Sequence, residues 1–121
     1  MDRTRFIEHR GKRILLMDYT GIRAPAEALE AIEASKGVVR LQPPKSLRVI
    51  TDVTGSHYDS TVVAALKELA SHNTPFVTAS AVVGVTGLMR VVLSGIIMFS
   101  KRKIQTFDTR EAAMEWLVQQ E

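Results

Sequence analysis

LRVITDVTGSHYDSTVVAALKELA, residues 47–70, changes its hydrophobic period part-way along, and that change decides the fold. Leu47, Val49, Thr51 and Val53 alternate as the side chains of a pleated strand do, whereas Val62, Val63, Leu66, Leu69 and Ala70 recur at helical spacing. The turn between them holds Asp52, Thr54, Ser56, His57, Tyr58, Asp59, Ser60 and Thr61. No other stretch is so dense in ionisable and hydrogen-bonding side chains, so a functional site is sought there first.

Outward from this strand–turn–helix unit, the chain alternates the same two periods. Two short β-like runs, Arg5 to Arg10 and Arg13 to Tyr19, are separated by Gly11 and Lys12 and predict a hairpin. Pro25 opens an amphipathic helix with Leu29, Ile32, Lys36 and Val39 on one stripe, predicted to run to Leu41 before Pro43 and Pro44 stop it. After the central helix, His72 to Pro75 form a turn and Phe76 to Val83 a buried strand. Gly84 to Gly87 lead into an apolar helix from Leu88 to Phe99, with Lys101, Arg102 and Lys103 complementing its dipole. Ile104 to Phe107 is a last strand, and Asp108 or Thr109 caps a last helix in which Ala113, Trp116 and Leu117 dock; Glu111 completes a capping box with Asp108. The order ββαβαβαβα predicts a single α/β domain over residues 1–121, with five strands, four helices and a mainly parallel sheet whose first strand is antiparallel. No internal repeat is apparent.

The composition narrows the chemistry. With 121 residues the chain can bury a core unaided, and with no cysteine it has neither disulfides nor thiol chemistry. The net charge of +3 is modest and dispersed, so nothing indicates a nucleic-acid surface. The charged N-terminus lacks a signal peptide's apolar core, and the 88–99 run is interrupted by Arg90, Ser94 and Gly95 and falls short of the roughly 20 residues a membrane span needs. A cytoplasmic location and no membrane span are expected. His57 has no second histidine or acidic cluster at metal-ligand spacing, so neither a metal nor a cofactor is expected. Asp18, at the end of an apolar strand, is placed to meet Asp52 at one edge of a parallel sheet, where ligands of open α/β folds bind; strand-end solvation accounts for the pair equally well.

DVTGSHYDST, residues 52–61, resembles the loop of STAS domains, the fold of bacterial anti-sigma-factor antagonists. In that loop an Asp closes a strand and an Asp-Ser pair follows at a helix start; Asp52, Asp59 and Ser60 fall on those positions, although Val62 stands where the pattern usually has Gly. ASAVVG at 79–84, Phe107 and EAAMEWL at 111–117 resemble the SpoIIAA-like branch, grouped with lipid-binding CRAL-TRIO-type domains. The resemblance implies a protein partner, such as a regulatory kinase or an anti-sigma-like factor, and phosphorylation of Ser60, with Thr61 as a competing hydroxyl.

From the residues alone, a helix cap accounts for Asp59, Ser60 and Thr61, while a free helix N-terminus also tolerates phosphate. The favoured function is a non-catalytic regulatory or protein-interaction domain using Asp52, Asp59, Ser60 and Thr61. The alternative is a lipid or apolar-ligand domain in which Leu88, Met89, Val92, Ile96 and Phe99 line a pocket; the same face could instead be core or a homodimer contact. An enzyme is not expected, because spacing places no nucleophile, base and orienting group together.

Overall fold

The computed structural model of the chain describes residues 3–87, 89–91, 93–95 and 103–120. Strands β1 (Thr4–His9) and β2 (Lys12–Asp18) form an antiparallel hairpin closed by His9 opposite Lys12. Helix α1 (Pro25–Val39), strand β3 (Leu47–Asp52), helix α2 (Ser60–Asn73) and strand β4 (Val77–Val83) follow. Helical residues 89–91 and 93–95 (α3), strand β5 (Ile104–Phe107) and helix α4 (Arg110–Val118) complete the order. The strands lie side by side as β1-β2-β3-β4-β5, with β2 to β5 parallel. This is the expected ββαβαβαβα sheet with its antiparallel first strand at one edge.

Alternation along the strands divides the core in two. Leu15, Met17 and Val49 face α1 and α2, where they meet Ile32, Val39 and Leu69. Ile14, Leu16, Ile50 and Ala81 face the other way and are covered by Ala113 and Leu117 of α4. Both faces of the central strands are therefore buried, which is why their sequences read as near-continuous apolar runs.

Element ends differ from the sequence prediction where local backbone geometry decides. Arg10 belongs to the hairpin turn rather than to β1: Arg10 and Gly11 take φ values of 51° and 77°, the left-handed pair of a two-residue type I′ turn, and Lys12 is free to pair with His9. Helix α1 ends at Val39, not Leu41. Leu41 and Gln42 donate to the carbonyls three residues back, and the Leu41 side chain is 80% exposed. The buried face of α1 is also rotated from the predicted stripe, towards Ala28, Ala31 and Ser35, because two hydroxyls give Ser35 partners indoors: Thr4 Oγ1 at 2.6 Å and Tyr19 Oη at 2.5 Å. Helix α2 continues through His72 and Asn73, and a 3-10 turn over Thr74–Phe76 takes Phe76 out of β4. Thr109 caps α4 by accepting from Ala112 N at 3.2 Å, so Asp108 and Glu111 form no capping box.

Candidate functional site

The carboxyl ends of β2 and β3 are built alike. Asp18 pairs in register with Asp52, and each begins an Asp-x-Thr-Gly turn: Asp18-Tyr19-Thr20-Gly21 and Asp52-Val53-Thr54-Gly55. In each, the aspartate Oδ1 accepts from the threonine backbone N–H, at 3.1 Å for Thr20 and 3.0 Å for Thr54, and from the threonine hydroxyl at 2.6 Å. The chain then reverses at a left-handed glycine, with φ of 68° at Gly21 and 70° at Gly55. Tyr19 N donates to Asp52 O and Gly21 N to Thr54 O, both at 2.9 Å, so the turns lie side by side. The next parallel strand places Val83 in register with Asp52 and is followed by Gly84-Val85-Thr86-Gly87, which repeats the Thr-Gly of the other two turns. A Cβ at Gly84 would stand 2.8 Å from Thr54 Cα and run into the Thr54 hydroxyl, so the backbone after β4 packs directly on the β3 turn. This short repeat was missed in the sequence; comparing the ends of the apolar strands would have exposed it.

Arg110, the first residue of α4, closes the pair. Its Nε donates to Asp52 Oδ2 at 2.6 Å and its Nη2 lies 3.2 Å from Asp18 Oδ1, while Arg5 Nη1 stands 3.9 Å from Asp18 Oδ2. Burial works to raise the Asp18 carboxyl, but the Thr20 hydrogen bonds and the Arg110 charge outweigh it and hold the group below its ordinary value. The hydrogen bond to Asp52 holds the Arg110 guanidinium above its ordinary value. At the opposite end of β3, Arg48 donates to the carbonyls of Leu117 at 3.2 Å and Gln120 at 2.8 Å. Arg48, Ile50 and Asp52 share one face of the strand, and from Arg48 to Asp52 that face rises about 13 Å, close to the roughly 13 Å that nine helical residues span. One strand face thus grips both ends of α4 and packs its middle.

The sequence pattern of a domain of unknown function, DUF7793, matches residues 6–121. The chain belongs to the DUF7793 family. A crystal structure of an uncharacterized DUF3478-family protein with a SpoIIAA-like fold, from Shewanella loihica PV-4, superposes on this DUF7793 domain with a TM-score of 0.74. The sequences are 12% identical, and the match covers 94% of this chain and 91% of that one. The SpoIIAA-like fold suggested by DVTGSHYDST and EAAMEWL is therefore the fold of the domain, one shared with anti-sigma-factor antagonists. No curated protein matches the chain.

The DUF7793 domain separates the residues grouped in the sequence. Asp52 is 4% exposed and turned to the α4 face, bonded to Thr54 and Arg110. Asp59, Ser60 and Thr61 stand together on the exposed rim at the start of α2. There Asp59 is the cap, its Oδ1 accepting from Val62 N at 2.9 Å, and Ser60 is the first helical residue. Capping therefore rests on Asp59 and not on all three side chains. His57 is exposed and ties the loop to the β2–α1 connection through its backbone N–H, 2.9 Å from Ile22 O. Tyr58 packs against the α1–α2 core, and burial raises its phenol above the ordinary value. Among the described residues no group of three or more His, Asp or Glu side chains is arranged to hold a metal, and no helix is long and apolar enough to cross a membrane.

Of the predicted apolar face, Leu88, Val92, Ile96 and Phe99 lie outside the described residues, as do Lys101 and Arg102. Met89 and Leu93 line a small apolar cavity with Met17, Val49, Leu66 and Leu69. Its volume of about 90 Å³ is below the roughly 300 Å³ at which small-molecule sites begin.

Proposed function

We propose that this DUF7793 domain is a non-catalytic interaction domain whose protein partner docks on the rim formed by the Thr54–Thr61 loop and the start of α2, with Ser60 as the residue whose phosphorylation releases it. The division of labour at that helix start carries the proposal: Asp59 supplies the cap, which leaves the exposed Ser60 hydroxyl without a structural task there. A phosphate on the first helical turn meets unpaired N–H groups and the positive end of the dipole, so the helix tolerates it. The partner does not: a docked surface would bury two added negative charges beside the Asp59 carboxylate. The sheet-edge carboxylates favour binding over catalysis. Both oxygens of Asp52 and Oδ1 of Asp18 are held by threonines or Arg110, and Asp18, kept below its ordinary value, is a poor proton acceptor.

Mass spectrometry of the protein isolated from its own cells, followed by binding of the recovered partner to Ser60→Asp and Ser60→Ala, tests this. The expected result is phosphate at Ser60, and an aspartate variant at least tenfold weaker than wild type while the alanine variant binds normally. Equal binding by all three proteins would exclude the switch. Recovery of an apolar small molecule in place of a protein would favour the lipid-binding alternative.

A further inference from the structure

The hairpin and α1 present a second surface, remote in function from the α2 rim. The pairing of His9 with Lys12 across a two-residue turn, and the 2.7 Å bond from Asp18 N to Arg3 O, fix the hydrogen-bonding phase of β1. Residues 3, 5, 7 and 9 bond β2. The backbone groups of Thr4, Phe6 and Glu8 therefore point away from the sheet, and among the described residues they have no backbone partner. Phe6 is 36% exposed on the α1 side, under the Arg13 guanidinium at 3.9 Å.

Helix α1 overhangs this edge. An open groove of about 750 Å³ lies between them, with Arg3 and Thr4 on one wall and Ala31, Ala34 and Val38 on the other. Glu27, Ala31, Ala34 and Val38 follow one another at steps of four, three and four residues, the spacing of a helix–helix seam, and Leu41 lies just past the helix end. The seam is uncovered at Ala34, and Leu41 at its end is 80% exposed. Charge along α1 is polarised: Glu27 and Glu30 lie in its first half and Arg40 caps its end, while Lys36 pairs with Glu33 and Glu68 inside the chain.

A strand edge and a helix seam side by side, each complementary to its own reverse, fit one kind of occupant. We propose that a second copy of this chain docks here about a two-fold axis near Phe6 and Ala34, with β1 antiparallel to β1 and α1 antiparallel to α1. With Phe6 opposite the second copy's Phe6, Thr4 falls opposite its Glu8, so every outward N–H and C=O of the strand meets a partner and the sheet runs through ten strands. Reversing α1 sets the acidic half of one helix against the basic end of the other, with Glu30 near the second copy's Arg40, and the small Ala34 lets the helices approach.

Sedimentation velocity of the intact chain from about 1 to 200 µM reads the dimer directly. Glu8→Pro removes one outward N–H without touching a bond to β2, and Ala34→Glu obstructs the seam; each is expected to weaken the dimer about 100-fold or more while leaving the circular dichroism unchanged. Glu30→Lys and Arg40→Glu, both at exposed positions, are each expected to weaken it several-fold, and the double charge reversal to restore it. A wild-type chain that stays monomeric across the range overturns the proposal. So does a dimer that persists in both Glu8→Pro and Ala34→Glu, or a double reversal no tighter than its single parents.

Discussion

Replacing Arg110 with alanine tests whether the sheet-edge carboxylates hold α4 in place. The substitution would leave Asp52, 4% exposed, beside Asp18 with no guanidinium between them. Removing one partner of a fully buried ion pair costs about 3–5 kcal/mol. Here Arg110 is 34% exposed, and Asp52 keeps both hydrogen bonds from Thr54, which brings the expected loss to about 2 kcal/mol. At a urea dependence of roughly 2 kcal/mol per molar, the unfolding midpoint falls by about 1 M with the slope unchanged. A double-mutant cycle with Asp52→Asn isolates the pair, and a coupling above about 1 kcal/mol is expected because the neutral amide no longer needs the cation. The acid dependence has a definite sign. Asp18 is held below its unfolded value near 3.9, so its contribution is complete above that value and lost as the pH falls through the lower, folded value. The gap between wild type and Arg110→Ala should therefore begin to narrow only as the pH falls below about 4. A variant within about 0.5 kcal/mol of wild type at pH 7, with no coupling to Asp52, would show that the packing of Ala113 and Leu117 and the Arg48 bonds dock the helix without Arg110.

Gly84→Ala should cost about 3 kcal/mol or more in thermal or urea unfolding, since φ is 82° and the new Cβ meets the Thr54 backbone; a cost under about 1 kcal/mol would mean that the β3 turn yields. Arg48→Met keeps the apolar stem but removes both bonds to the end of α4, and a loss of about 1–2 kcal/mol is expected, with faster hydrogen exchange confined to the helix's last turn; uniform acceleration along the helix would contradict the local clamp. Burial raises the Tyr19 phenol well above its ordinary value, so stability is complete below about pH 10 and falls above it as only the unfolded chain ionises; ultraviolet titration should find one tyrosine ionising only on unfolding, and two ordinary titrations would contradict the burial.

The parts of the fold legible in the sequence are those with their own period or punctuation. Strand β5, Ile104–Phe107, appears at its predicted ends because a charged segment precedes it and a helix cap follows. Strand β3 is recognisable from alternation although both faces are buried, because its aspartate closes it. Boundaries set by longer-range geometry were not legible. The inward turn of Ser35 depends on hydroxyls contributed by β1 and by the end of β2, which no helical stripe reveals. Arg110 is likewise an ordinary first-turn arginine until the sheet brings Asp18 and Asp52 under it, and Arg48 an ordinary strand residue until α4 ends above it. The meeting of Asp18 with Asp52 was foreseeable from strand ends in a parallel sheet; the cation between them was not, because it arrives from the last helix.

Moving Asp52 away from the α2 rim changes the electrostatics of the proposed switch. In the sequence, Asp52 and Asp59 both precede Ser60, and both would repel a phosphate placed there. In the folded chain Asp52 is bonded to Arg110 on the α4 face, so its charge is matched and little of it is felt outside. Asp59 remains, and it is tied to Val62 N, the same helix terminus whose N–H groups and dipole would receive the phosphate. Attraction from the terminus and repulsion from one carboxylate are comparable at an exposed site, each of order 1 kcal/mol or less. The fold is then nearly indifferent to the modification. A docked protein has no such compensation, since it must remove water from both negative groups at once, and the whole effect of the phosphate falls on the interface.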